Sequence, residues 1–174
     1  IENIDENFGF SRYAERLGRS AHTFDELYEN LNQENSYIDE VTLDLLSQSI
    51  NQYSPKMVGF SVPFPGNLYS AFKCAQWIKK HHPEIKITMG GGFPNTELRS
   101  VSDPRVFEFF DWITLDDGEA PILLLTQWLE GKIDDNELKR TLSLNKEQQV
   151  TYNNSSNFKD FSTAQVGVPD YSDL

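Results

Sequence analysis

The chain has 174 residues, 38% of them apolar and 24% charged, with a formal net charge of −12. That size and balance predict a single folded domain with a modest core rather than a disordered chain. The acidity excludes nucleic acid as a main partner, because phosphate binding needs clustered Lys and Arg, and it leaves room for a neutral or cationic ligand or a basic partner domain. A single cysteine, Cys74, excludes an internal disulfide and points to the cytoplasm. No apolar run approaches the ~20 residues that span a bilayer, so no membrane partner is expected, and no signal peptide is evident. Ile1 stands where a Met would begin a complete chain, which predicts a piece of a longer polypeptide.

The first 38 residues are polar. Phe10, Tyr13, Ala14 and Leu17 share one face of a short helix, and Thr23 with Glu26 forms a capping box that opens a second helix through Leu31. A clearer helix covers Asp39–Tyr53, capped by Asp39 and stopped by Ser54-Pro55. Met57–Val62 reads as a buried central strand, apolar on both sides. The helix over Asn67–His82 carries its apolar stripe on Leu68, Ala71, Ala75 and Ile78, and Lys79, Lys80, His81 and His82 suit its C-terminal dipole. Lys86–Met89 is a second strand. One turn is expected near Thr96–Ser100, a short helix over Pro104–Phe110, and a third strand over Trp112–Leu115. A helix follows over Ala120–Glu130, with Pro121 in its first turn and Gly131 past its end. Thr141–Leu144 and Gln149–Tyr152 pair as a C-terminal hairpin. The alternation predicts a doubly wound, mainly parallel α/β sheet. It is either truncated at its first strand or completed by edge strands from the tail. Residues 1–152 form the domain, and 153–174 read as a linker.

In such sheets ligands sit beyond the carboxyl ends of the strands, and the unusual residues gather there. Ser61 offers a hydroxyl at the end of the first strand, although such hydroxyls often satisfy local backbone. Val62 and Pro63 follow it. Pro63 and Pro65 stiffen the loop, Gly66 permits close approach of a ligand, and Asn67 opens the next helix. Gly90-Gly91-Gly92 removes every side chain from the end of the second strand, leaving room for a flat group, or else forms a plain turn. Neither a GxGxxG nor a Walker loop is present. Asp116, Asp117 and Glu119 cluster at the third strand end, where solvated turn and first-turn carboxylates are common. His22, His81 and His82 do not make a metal site, and Cys74 reads as a buried thiol. Trp77, Trp112 and Trp128 read as packing residues.

Met57-Val58-Gly59-Phe60-Ser61, Ile87-Thr88-Met89-Gly90-Gly91-Gly92, Asp111-Trp112-Ile113 and Gly118-Glu119-Ala120-Pro121 together resemble the cobalamin (B12)-binding domain of radical S-adenosylmethionine enzymes. The family pattern is DxHxxG, then SxL, then GG. Ser61-Val62-Pro63 fills the SxL slot with Pro63 in place of Leu, and Gly91-Gly92 falls at the matching distance. Tyr13–Gly18 occupies the DxHxxG slot, but Tyr13 and Glu15 replace Asp and His, so no histidine of that motif would ligate cobalt. Val168–Leu174 looks like the linker ahead of a radical domain. The resemblance implies a Rossmann-like or flavodoxin-like fold and a cobalamin-binding accessory domain. Its cofactor contacts would come from Ser61, Val62, Pro63, Gly66, Asn67, Gly90, Gly91, Gly92 and Glu119. The 4Fe–4S cluster and S-adenosylmethionine would belong to a downstream radical domain of the same polypeptide, which is the expected partner. No catalytic residue is assigned in this chain. The competing expectation is a degenerate module of the same fold that binds no cofactor and serves structure or substrate interaction. A hydrolase or phosphoryl-transfer enzyme lacks a nucleophile–base pair.

Overall fold

The structure is a computed structural model that describes residues 24–168 and Ser172. The helix expected over Phe10–Leu17, the Tyr13–Gly18 stretch, His22 and the Thr23 cap lie outside those residues. Helix α1 covers Phe24–Leu31 and α2 Tyr37–Tyr53, followed by strand β1 at Met57–Ser61 and helix α3 at Leu68–His81. Strand β2 (Lys86–Gly90), helix α4 (Gly92–Glu97), strand β3 (Trp112–Thr114) and helix α5 (Glu119–Leu129) come next. Strands β4 (Thr141–Leu144) and β5 (Val150–Asn153) and the short helix α6 (Thr163–Val166) complete the order. The fold is α/β, with a mixed five-stranded sheet in the order β1-β2-β3-β4-β5. β1, β2 and β3 run parallel, and β4 and β5 return antiparallel as a hairpin that extends the sheet.

Helices lie on both faces because alternate strand residues point to opposite sides. Val58, Phe60, Ile87, Met89 and Ile113 pack under α1, α2 and α3, while Met57 and Trp112 face Leu124, Leu125 and Trp128 of α5. The first face holds the larger core. Phe72 of α3, 2% exposed, lies at its centre. It meets Phe110 edge-on at 4.9 Å, Phe109 at 5.1 Å and Phe24 at 5.4 Å.

Several expectations are corrected. Among the described residues β1 pairs only with β2, so it is an edge strand, half-buried rather than central. Apolar side chains on both its faces reflect helices above and below, which is a separate matter from having neighbours on both edges. α2 starts at Tyr37 because Ser36 is its cap. The Ser36 hydroxyl accepts from the Asp39 N–H, and the Asp39 carboxylate accepts from the Ser36 N–H, so Asp39 closes the capping box instead of opening the helix. The expected C-terminal hairpin is present, and its turn is held by Asn145, whose side-chain oxygen accepts from the N–H groups of Glu147 and Gln149. The chain past Asn153 is more than a linker. The Ser155 N–H donates to the Leu138 carbonyl, and Phe158 packs on the α5-side cluster.

A buried lysine and a partly buried aspartate fasten helices to this frame. Lys73 is 5% exposed and its Nζ donates to the Leu31 carbonyl at 3.1 Å, satisfying the C-terminus of α1, while burial pushes its ammonium pKa down. Burial likewise pushes the Cys74 thiol up to about 11, as expected of an inert core cysteine. At the amino end of the sheet, Asp111 accepts from Lys79 Nζ at 2.6 Å, Lys86 Nζ at 2.9 Å and the Ile87 N–H at 2.8 Å. Burial alone would raise its carboxyl pKa, but these three bonds outweigh it and hold the group below the ordinary carboxylate range. Stability drawn from Asp111 is therefore full above about pH 4, where the unfolded carboxyl ionises, and is lost as pH falls through the lower folded value. Asp111→Asn is expected to cost about 2 kcal/mol near neutral pH and to flatten the acid limb. Urea midpoints measured from about pH 6 to about pH 2.5 check both, and an unchanged acid limb would contradict the assignment. No helix among the described residues is long and apolar enough to cross a membrane.

Candidate functional site

The carboxyl ends of β1 and β2 are locked together by backbone. Ser61 is in register with Gly90. The Val62 N–H donates to the Gly90 carbonyl at 2.8 Å, and the Phe93 N–H donates to the Val62 carbonyl at 2.9 Å, so the ladder continues past both strands. The glycine run makes this possible in a way the sequence did not reveal. A Cβ on Gly91 would lie 2.8 Å from the Val62 nitrogen and 2.9 Å from its oxygen, and one on Gly92 would lie 2.8 Å from the Pro63 oxygen. A Cβ on Gly90 would lie 2.7 Å from Thr114 Oγ1. In the direction a side chain would take, the space beside these glycines is filled by the protein's own atoms, so the run also serves the close packing of the two strand ends. Gly91 adopts φ 105° and ψ −171°, a conformation nearly reserved for glycine. Gly91 then caps α4, so the expected turn is a helix start.

Val62 is 1% exposed and its side chain belongs to the core, where it holds the two loops in register. Ser61 and Gly90 face the α5 side of the sheet, where Glu119 is exposed as the first residue of α5. Pro63, Phe64, Pro65 and Gly92 turn the other way and line a cleft of about 970 Å³ with Leu68, Phe93 and Val101. Phe64 is 50% exposed in its wall. Gly66 and Asn67 form the 3₁₀ turn that leads into α3, whose N-terminus has no side-chain cap. Its first N–H groups are met by backbone instead: the Asn67 N–H donates to the Phe64 carbonyl and the Leu68 N–H to the Pro65 carbonyl. The nine expected contact residues are thus brought to one end of the sheet but divided between its two faces.

The third strand end is a clasp. The Asp116 N–H donates to Asn95 Oδ1 at 2.5 Å, Arg99 pairs with the Asp116 carboxylate, and Arg99 Nε donates to the Asn95 carbonyl at 2.6 Å. Arg99 and Asn95, both missed by sequence reasoning, tie α4 to the tip of β3. The Asp116 carboxylate is thus paired with the Arg99 guanidinium. Among the described residues no cluster of His, Cys, Asp and Glu could hold a metal ion. His81 and His82 close α3 at the opposite, amino end of the sheet, where His81 Nδ1 lies 2.8 Å from the Trp77 carbonyl.

No protein-family model and no curated protein matches the chain. The fold is similar to solved structures of the cobalamin-dependent S-adenosylmethionine radical enzyme OxsB. The apo, selenomethionine-labelled form aligns with a TM-score of 0.54 at 20% identity. Forms with aqua-cobalamin bound, and with aqua-cobalamin and S-adenosylmethionine bound, align with a TM-score of 0.55 at the same identity. Each alignment covers 67% of this chain and 16% of that enzyme. At this identity the likeness is one of fold, and the chain spans about a sixth of the enzyme's length.

Proposed function

We propose that this chain is a cobalamin-binding accessory domain of a cobalamin-dependent radical S-adenosylmethionine enzyme of the methyltransferase or oxidoreductase type. The observation that carries the proposal is the fold likeness over 67% of the chain to an enzyme solved with aqua-cobalamin bound. The cleft beyond β1 and β2 adds to it. The cleft suits a large, flat group held by its periphery: apolar walls from Phe64, Pro65 and Phe93, and a proline-stiffened loop. The described residues offer no imidazole at this end, so the protein would hold the corrin by shape and edge contacts and leave cobalt without a histidine from them. When bound, cobalamin supplies methyl-transfer or electron-transfer chemistry. Pro63, Phe64, Pro65 and Gly92 would line its site, with Gly66 and Asn67 in the turn beside them, while Ser61 and Glu119 lie on the other face of the sheet. The iron–sulfur cluster and S-adenosylmethionine belong to a downstream domain in the same cytoplasmic polypeptide, against which this domain packs.

Aqua-cobalamin titrated into the purified chain is expected to bind saturably with a micromolar Kd, read by calorimetry and by a change in its visible spectrum. Absence of heat and spectral change at high micromolar concentration overturns the proposal. That outcome belongs to the second reading, a structural module of the same fold. The specific observation in its favour is the direct packing of Gly91 and Gly92 on Val62 and Pro63, which lets the glycines serve the fold alone.

A further inference from the structure

The most unusual charge arrangement in this acidic chain lies where β3 meets β4, away from the cleft. Lys139 and Arg140 are neighbouring cations whose side chains are only 12% and 11% exposed. Arg140 is backed into the fold: its carbonyl accepts from the Leu115 N–H at 2.9 Å, and one guanidinium nitrogen donates to the Asp117 carbonyl at 2.7 Å. Lys139 Nζ donates to the Phe158 carbonyl at 2.8 Å. Among the described residues the single carboxylate within ion-pair reach of either is Asp160, 2.5 Å from Arg140 and 3.3 Å from Lys139. Two nearly buried cations therefore share one carboxylate, and Arg140 Nε has no partner at all. Asp160 itself is 47% exposed, on a polar segment that meets the body through Ser155 and Phe158.

We propose that Lys139 and Arg140 form an oxyanion-binding subsite for a phosphate or carboxylate group, which Asp160 fills from within the chain as a displaceable stand-in. Burial keeps the two cations poorly screened, so an oxyanion placed between them is bound more strongly than at an exposed pair. Two adjacent cations, one of them a planar fork, suit the several oxygens of such a group. Asp160 is displaceable because its carboxylate is half-exposed and regains water when it leaves, while the incoming oxyanion keeps the two nearly buried cations paired. The Arg140 hydrogen bond holds the Asp160 carboxyl below its ordinary range, so it remains a charged competitor at neutral pH. Displacement frees the segment around Phe158 and couples anion binding to release of the tail. The subsite does not depend on cobalamin.

The test is an isotope-labelled NMR titration of the chain and of Asp160→Asn with inorganic phosphate, and separately with acetate, at constant ionic strength set with chloride. Phosphate, acetate or both are expected to move the Lys139 and Arg140 signals, including Arg140 Nε–H, with affinity about threefold to fivefold higher in Asp160→Asn. In the unsubstituted chain the same titration shifts the Phe158–Phe161 signals as the tail is released. Lys139→Met in the Asp160→Asn background keeps the buried stem, removes the cation and is expected to abolish the response, with folding checked by its urea midpoint. If neither anion moves these signals in Asp160→Asn, the cluster is only a clasp for the tail and the subsite is refuted. Equal affinity in both proteins refutes the stand-in role of Asp160.

Discussion

Phe72→Ala is expected to destabilise the domain by about 4 kcal/mol, the largest loss from any single side chain in this core. Phe72 projects from α3 into the space between the helices and the sheet and is 2% exposed. Its ring touches three others, the neighbouring Phe109 and Phe110 from the segment before β3 and Phe24 from α1. Truncation removes transfer free energy and leaves a cavity walled by rigid rings that cannot collapse inward. It also loses edge-to-face contacts worth about 1 kcal/mol each beyond area burial. A domain stable by about 5–15 kcal/mol would lose a large share of that margin. Urea unfolding should show a lower midpoint at unchanged slope. Phe72→Leu, which keeps most of the volume, should cost about a third as much. A loss below about 1 kcal/mol for the alanine variant would show that the aromatic cluster does not anchor α1 and α3 to the sheet.

Gly91→Ala is expected to cost about 4 kcal/mol for a different reason, with both strain and overlap contributing. The backbone at φ 105° and ψ −171° is nearly closed to residues with a side chain. The new methyl would meet the Val62 nitrogen, oxygen and carbon at 2.8, 2.9 and 3.0 Å. These are backbone atoms held by the Val62–Gly90 and Phe93–Val62 hydrogen bonds, so relief requires parting the tips of β1 and β2. Gly118→Ala is the control. Gly118 has φ −76° and nothing within 4 Å of the added Cβ, so the change should be neutral or stabilising by a few tenths of a kcal/mol. Equal midpoints for the two variants would contradict the close-packed account of the glycine run.

The long elements were readable in the sequence because their periodicity is local. α2, α3 and α5 fall within a few residues of their apolar patterns, and β2 and β3 are short runs bounded by clear breaks. That β1 pairs only with β2 among the described residues was not readable from the strand's own side-chain pattern. Side-chain pattern reports which faces are covered, and Met57 and Phe60 are covered by helices on opposite faces; it says nothing of pairing in the plane of the sheet. The gathering of Ser61, Pro63, Gly92 and Glu119 at one end of the sheet followed from strand polarity. Their division between two faces follows from the two-residue repeat of β1 and the reversal at Pro63. The close packing of the glycines was not readable, because a missing side chain looks the same in sequence whether a ligand or the chain's own backbone takes its place. Arg99, Asn95, Arg140 and Asp160 were missed because each acts through a partner distant in sequence, a pairing that no local pattern encodes.

Mapping where aqua-cobalamin binds bears most directly on the proposed function. In the isotope-labelled chain, the cobalamin-binding account predicts perturbed signals at Phe64, Gly66, Asn67 and Gly91–Phe93, with the His81→Ala/His82→Ala variant binding equally well. Perturbation confined to α3 around His81 and His82, and abolished in that variant, would mean that exposed imidazoles simply capture the cobalt, and would contradict a corrin site at the carboxyl ends of β1 and β2.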